Sequence, residues 1–230
     1  EPVETMGNPH PMLEDWDGDG DLDLILSDFP GSYTYFENIG TRTKPVYTSG
    51  RLLHDSKGHP FAAAECIPFP QAIDWDHDGK LDIVAAQEDS RVGFCRNTGK
   101  FWKGMPVFDP PVFLRAEREF LHFGILVSPY VCDFDGDGDE DIVVGDAAGY
   151  LAWFENISGP RVAKPKWEGP HYLSCEAPSA DYHDVTICPD TLQCSPFKHR
   201  AGHNGSIQGP VEAGFGYTCE SVADWDGDGD

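Results

Sequence analysis

Aspartate recurs at alternate positions in four short stretches: DWDGDGDLD from Asp15, DWDHDGKLD from Asp74, DFDGDGDED from Asp133 and DWDGDGD from Asp224. Side chains at positions 1, 3, 5 and 9 of such a loop, with the backbone carbonyl of position 7, form an oxygen-rich shell for a hard divalent cation. Calcium takes about six to eight oxygens, and a loop of this kind supplies most of them. The candidate ligands of the first loop are Asp15, Asp17, Asp19, the carbonyl of Asp21, and Asp23. The second offers Asp74, Asp76, Asp78, the carbonyl of Lys80, and Asp82, and the third Asp133, Asp135, Asp137, the carbonyl of Asp139, and Asp141. Asp224, Asp226, Asp228 and Asp230 begin a fourth. Lysine at position 7 is compatible with this scheme, because only the carbonyl is required there.

Glycine at position 6 (Gly20, Gly79, Gly138 and Gly229) lets the backbone turn sharply without a Cβ clash. An EF-hand begins in the same way but needs a bidentate Glu at position 12 and flanking helices. Position 12 here is Leu26, Ala85 or Val144, inside apolar runs. Magnesium suits the loops less well than calcium, since it demands a stricter six-ligand geometry and keeps its waters. Without a cation the clustered carboxylates repel one another.

The elements that must position these loops repeat with them. The first three loops begin at even intervals, at Asp15, Asp74 and Asp133, and the next begins only at Asp224, so the third interval carries an insertion, placed within 168–215. Asp23, Asp82 and Asp141 are each followed, at one fixed separation, by an asparagine: Asn38, Asn97 and Asn156, in the related stretches YTYFENIG, VGFCRNTG and LAWFENIS. Pro-initiated runs follow: KPVY, MPVF and KPKW. These short runs are rich in β-branched and aromatic residues and bounded by Gly, Pro, Asn and Asp, which is strand and turn chemistry. Counting the apolar run before each loop, each unit holds about four strands, with the Pro-initiated run as the last. The fold class expected is therefore all-β: a β-propeller of four-stranded blades. Repeats fall near 15–73, 74–132 and 133–223, with a fourth starting at 224–230, so residues 1–230 form a partial propeller of about three to four blades.

An Asp-rich loop running into a buried strand, with FEN-type and PVF-type elements at fixed spacing, resembles the FG-GAP or VCBS-type repeats of integrin α-chain propellers and secreted bacterial proteins. The resemblance covers nearly the whole chain outside the insertion. It implies a secreted or cell-surface, calcium-binding scaffold that presents one face to a carbohydrate or an extracellular protein.

Composition agrees with a packed domain: 40% of the residues are hydrophobic and 12% aromatic. The formal charge of -24 argues against a nucleic-acid partner, whose phosphates demand a basic footprint. No stretch approaches the roughly 20 apolar residues of a membrane span. The first residues lack the pattern of a signal peptide. Because the sequence stops inside a motif, it reads as a fragment of a longer chain.

If the Asp loop joins strands one and two of a blade, the connections between blades lie on the opposite face, where function is to be sought. Those connections hold eight of the nine histidines, together with Arg115, Arg118, Arg200 and Tyr217. An alternative to a binding scaffold is thus a propeller polysaccharide lyase, in which a His or Tyr abstracts the proton α to a uronate carboxylate that Arg or His neutralises. Its candidates are His122, His203, Tyr217 and Arg115, although no spacing ties them together. Cys175, Cys188, Cys194 and Cys219 lie in or beside the insertion, where disulfides, zinc ligation and unpaired thiols are all open; no C-x2-C pattern favours zinc.

Overall fold

A computed structural model describes residues 7–63, 66–116, 119–147, 150–162, 164–175, 195–196 and 222–223. The chain divides into two compact units, Glu1–Leu114 and Arg115–Asp230.

The first unit contains two four-stranded antiparallel sheets. One runs in chain order through β1 (His10–Glu14), β2 (Asp23–Ser27), β3 (Tyr33–Phe36) and β4 (Arg51–Leu52). The other is built of β5 (Phe69–Ile73), β6 (Asp82–Ala86), β7 (Val92–Cys95) and β10 (Val112–Phe113), with the separate hairpin β8 (Asn97–Trp102) and β9 (Met105–Phe108) between its last two strands. The second unit opens on the small hairpin β11 (Arg115–Ala116) and β12 (Glu119–Phe120). Its four-stranded sheet is β13 (Ser128–Cys132), β14 (Asp141–Gly145), β15 (Leu151–Asn156) and β16 (Trp167–Tyr172), and a two-stranded pair, β17 (Ser174–Cys175) and β18 (Ser195–Pro196), follows. Each four-stranded sheet is an up-and-down meander, the blade unit of a propeller, and the fold is all-β.

The sequence of the second strand explains its place. DIVAA in β6 and DIVVG in β14 are buried at every position. A strand covered on both faces has no polar face to alternate with, so it reads as an unbroken apolar run. In the first unit that core is continuous between the two sheets. Ile25, Tyr33 and Tyr35 of one sheet share a cluster with Ile83, Ala85 and Cys95 of the other. Phe108 of the β8–β9 hairpin sits against Trp16 at 5.8 Å and Phe61 at 5.2 Å between ring centroids. His10 of β1 meets Phe69 of β5 at 4.4 Å.

The Pro-initiated run is the fourth strand of a blade only in the third sheet, where it leads directly into β16. In the second sheet MPVF forms β9 and pairs with β8, and the last strand is the later Val112–Phe113. In the first, Tyr47 of KPVY bridges back to Asn38, and the last strand is Arg51–Leu52. The reason is the asparagine: Asn38 faces Tyr47, Asn97 faces Phe108 and Asn156 faces Trp167. Each Pro-initiated run thus ends in an aromatic residue registered against the recurring asparagine.

Candidate metal centre

Each of the first three Asp loops joins the first two strands of its sheet, as the alternation of strand and turn residues predicts. The loop backbone folds on its own carboxylates. Asp15 accepts from the Gly18 N–H at 2.9 Å and the Gly20 N–H at 3.0 Å. Asp74 accepts from Asp78 and Gly79, both at 3.0 Å, and Asp133 from Gly138 at 3.1 Å. Positions 4 and 6 take left-handed backbone: φ is 81° and 95° at Gly18 and Gly20, and 77° and 95° at Gly136 and Gly138. His77 occupies position 4 of the second loop at φ 54°, a conformation that histidine tolerates better than a β-branched residue does.

The loops bring carboxylates together. Asp15, Asp17 and Asp19, then Asp74, Asp76 and Asp78, and then Asp133, Asp135 and Asp141 each offer ligand oxygens within 4.8 Å of one another. The first two clusters are positions 1, 3 and 5; the third is positions 1, 3 and 9. The fourth loop, Asp224, Asp226, Asp228 and Asp230, lies outside the described residues.

Position 9 has a second role that its chemistry alone does not announce. Asp23, Asp82 and Asp141 are each 1% exposed. Their Oδ1 atoms accept the backbone N–H of the recurring asparagine: Asn38 at 2.8 Å, Asn97 at 2.6 Å and Asn156 at 2.8 Å. Their Oδ2 atoms accept from the Tyr35 hydroxyl at 2.8 Å, the Trp75 N–H at 3.2 Å and the Phe134 N–H at 3.1 Å respectively. The fixed Asp-to-Asn spacing is therefore a latch between the start of the second strand and the end of the third. Burial raises all three carboxyls against these hydrogen bonds, Asp82 to about 6.

Position 7 departs from the carbonyl-only role. The Asp139 side chain is 1% exposed and neither of its oxygens has a well-formed hydrogen bond. Burial first, then the charges of Asp137 and Asp141, push its carboxyl up to about 6, and the nearby Gly159 N–H offsets this only in part. Burial and the neighbouring Asp19 and Asp17 likewise raise Asp21 in the first loop. A buried carboxylate so poorly supplied with donors is a costly arrangement for an ion-free protein. Orphaned oxygens at Asp21, Asp76 and Asp139, beside clustered acids, fit a cation.

The second loop differs. Lys80 Nζ lies 2.5 Å from Asp78 Oδ2, and Arg96 reaches Asp76 Oδ2 at 3.0 Å and Asp78 Oδ2 at 3.5 Å. The hydrogen bond and charge of Lys80 hold Asp78 below the usual carboxylate range.

Of the other candidates, Arg115 and His122 both line a cavity of about 1360 Å3 in the second unit, with Lys166, Trp167 and Tyr172 among its walls. The Arg115 guanidinium lies 3.8 Å from the centroid of the Phe120 ring. His203, Tyr217 and Arg118 fall outside the described residues, as do Cys188, Cys194, Cys219 and the side chain of Cys175. Cys66, Cys95 and Cys132 are free thiols, and burial pushes Cys132 up to about 11, which makes it a poor nucleophile.

No curated protein matches the chain. Residues 74–144, from the first aspartate of the second loop to the strand behind the third, match the family model of an FG-GAP-like repeat. Over residues 74–144 the chain is thus similar to an FG-GAP-like repeat, and one loop and one latch recur in its three four-stranded sheets.

Proposed function

We propose that the protein is a calcium-stabilised binding scaffold that acts outside the cell, where millimolar calcium is available to sites of modest affinity. The observation that carries this reading is the recurrence, in three loops, of three carboxylates within 4.8 Å of one another at the mouth of a buried strand. Asp15, Asp17 and Asp19 would hold one ion, Asp74, Asp76 and Asp78 a second, and Asp133, Asp135 and Asp141 a third, with the position 7 carbonyls and, in the third loop, the Asp139 carboxylate within the same turn. The ion supplies charge neutralisation, not reactivity. It offsets the repulsion of the acids and ties the first strand of each sheet to the second.

With its loops closed, the scaffold presents the connections between blades to a carbohydrate or an extracellular protein. Thermal unfolding in EDTA, millimolar magnesium and millimolar calcium tests the metal reading. Calcium alone is expected to raise Tm, and equal Tm values in all three would overturn it. A glycan array probed with the calcium-loaded protein then tests the carbohydrate partner.

A second reading, a polysaccharide lyase, is favoured by one observation: Arg115 and His122 line the same cavity. Its test is growth of ultraviolet absorbance from unsaturated uronate ends, with loss in His122→Ala. Flat absorbance on uronate polymers leaves the scaffold.

A further inference from the structure

The three loops repeat one backbone but not one charge pattern. Position 7 is Asp21 in the first loop and Asp139 in the third, but Lys80 in the second. The residue before the latching asparagine is Glu37 in the first repeat and Glu155 in the third, but Arg96 in the second. Two acids are thus replaced by two bases at the same structural positions, and in the middle repeat alone of the three. Counting positions 1, 3, 5, 7 and 9 with that residue, the first and third loops each gather six acids, whereas the second gathers four acids and two bases.

Both bases turn toward the aspartates. Lys80 Nζ reaches Asp78 Oδ2 at 2.5 Å, Arg96 Nε reaches Asp76 Oδ2 at 3.0 Å, and Arg96 Nη2 reaches Asp78 Oδ2 at 3.5 Å. Asp76 and Asp78 are two of the three carboxylates in the second cluster. Glu37, by contrast, pairs with Arg51 at 2.7 Å, and Glu155 faces His171 at 3.7 Å. In the first and third repeats these two positions therefore bring no base to the loop aspartates.

We propose that Lys80 and Arg96 are built-in counter-ions that make the second loop the weak, exchangeable calcium site, leaving the first and third loops as the tight ones. The inference rests on the calcium reading above. A divalent ion entering the second loop must break both pairs or sit beside two positive charges, a cost that acids at the same positions do not impose. The second loop consequently keeps its shape without metal, while the first and third need it.

The test is a calcium titration of the full chain by calorimetry, paralleled by terbium luminescence sensitised by the tryptophan at position 2 of the loop. Trp75 marks the second loop and Trp16 the first, and loss of signal in Trp75→Phe or Trp16→Phe assigns each phase. The expected result is that the Trp75 phase saturates at a calcium or terbium concentration at least about tenfold higher than the Trp16 phase, about 1.4 kcal/mol. Lys80→Asp with Arg96→Glu, which restores the residues of the first repeat, should bring the two phases together. Lys80→Gln with Arg96→Gln, which removes the charge without adding acids, should move the Trp75 phase in the same direction by a smaller factor, and covers the case in which the first pair fails to fold. Asp21→Lys should weaken the Trp16 phase alone. Equal phases in the parent that neither pair of substitutions moves would overturn the inference and leave the calcium reading standing. No binding in either phase, with no change in Tm, would overturn both.

Discussion

The buried end of each loop and its rim obey different rules. At the buried end, Asp23, Asp82 and Asp141 make the same bond to Asn38, Asn97 and Asn156, at 2.8, 2.6 and 2.8 Å. At the rim, position 7 carries Asp, Lys or Asp, and the carboxylates that cluster differ between the loops. The difference follows from solvent. A buried N–H without an acceptor costs about 1 to 3 kcal/mol, so the latch is held to one geometry. Around open rim acids such as Asp15 and Asp19 water and salt screen the charge and leave the neighbours free to vary, whereas Asp139 is a buried exception.

The largest expected effect breaks the latch. Asp82→Ala leaves the Asn97 and Trp75 N–H groups without their acceptor, and is expected to cost about 2 to 4 kcal/mol. Because the latch needs no ion, this loss should be present in EDTA. A variant that unfolds with the parent in EDTA would erase the distinction between latch and rim.

Next in size is the ion. Each loop held at about 100 times its dissociation constant gains about 2.7 kcal/mol. Asp17→Asn keeps an oxygen for the Asp19 N–H, bonded at 3.1 Å in the parent, but removes a ligand charge. It is expected to lose a loop's share of the calcium-dependent rise in Tm while matching the parent in EDTA. An equal loss under both conditions would show that the rim, too, is structural.

The pH dependence is smaller and of unusual sign. Asp82 and Asp139 stand at about 6 when folded, above the usual carboxylate value. The folded state therefore binds their protons more tightly than the unfolded chain does. Their contribution is fully present below the unfolded value near 3.8 and is lost as pH rises through about 6. Metal-free protein should accordingly gain about 1 to 3 kcal/mol from these groups between pH 7 and pH 4.5. Calcium should flatten or reverse the slope, because the ion favours ionised acids. Chemical denaturation at the two pH values, with EDTA and with calcium, reads both arms. A metal-free protein that loses stability steadily from pH 7 to 4.5 contradicts the assignment.

The smallest effect lies on the other side of the latch. The Asn97 side chain donates to the Leu81 carbonyl and accepts from the Gly99 N–H, both at 3.0 Å. Asn97→Ala should cost about 1 kcal/mol, since its backbone N–H still reaches Asp82. Denaturant midpoints would separate this from the Asp82 effect, and a cost equal to that of Asp82→Ala would move the latch from the aspartate to the asparagine.

Much of the architecture was legible because it rests on local pattern. The apolar runs behind the loops stand out because both of their faces are buried, and the even spacing of Asp15, Asp74 and Asp133 marks their repetition. The last strands of the first two sheets were not legible. Arg51–Leu52 and Val112–Phe113 are very short, with Leu52 and Val112 exposed, and so carry no periodicity. The Pro-initiated runs attract the assignment because they are apolar, yet in the first two sheets their partners are the asparagine stretches. In the loops, residue type marked the acids. It did not reveal that the Lys80 side chain folds onto Asp78, nor that Arg96, just past the third strand of the sheet, approaches the same carboxylate.

What the sequence determined by itself is the repeat: loops of alternating aspartates, each feeding a strand too apolar to be exposed on either face. Those features follow from composition at short range. The tertiary structure decided what each carboxylate does. Whether an aspartate is a latch, a ligand or the partner of a lysine depends on which N–H or ammonium the third strand and the following turn bring within about 3 Å, and hydrogen bonds and ion pairs act only at that range. Position 9 looks like one more ligand in the sequence, and its carboxylate is buried against the end of a strand that the chain reaches only after another turn.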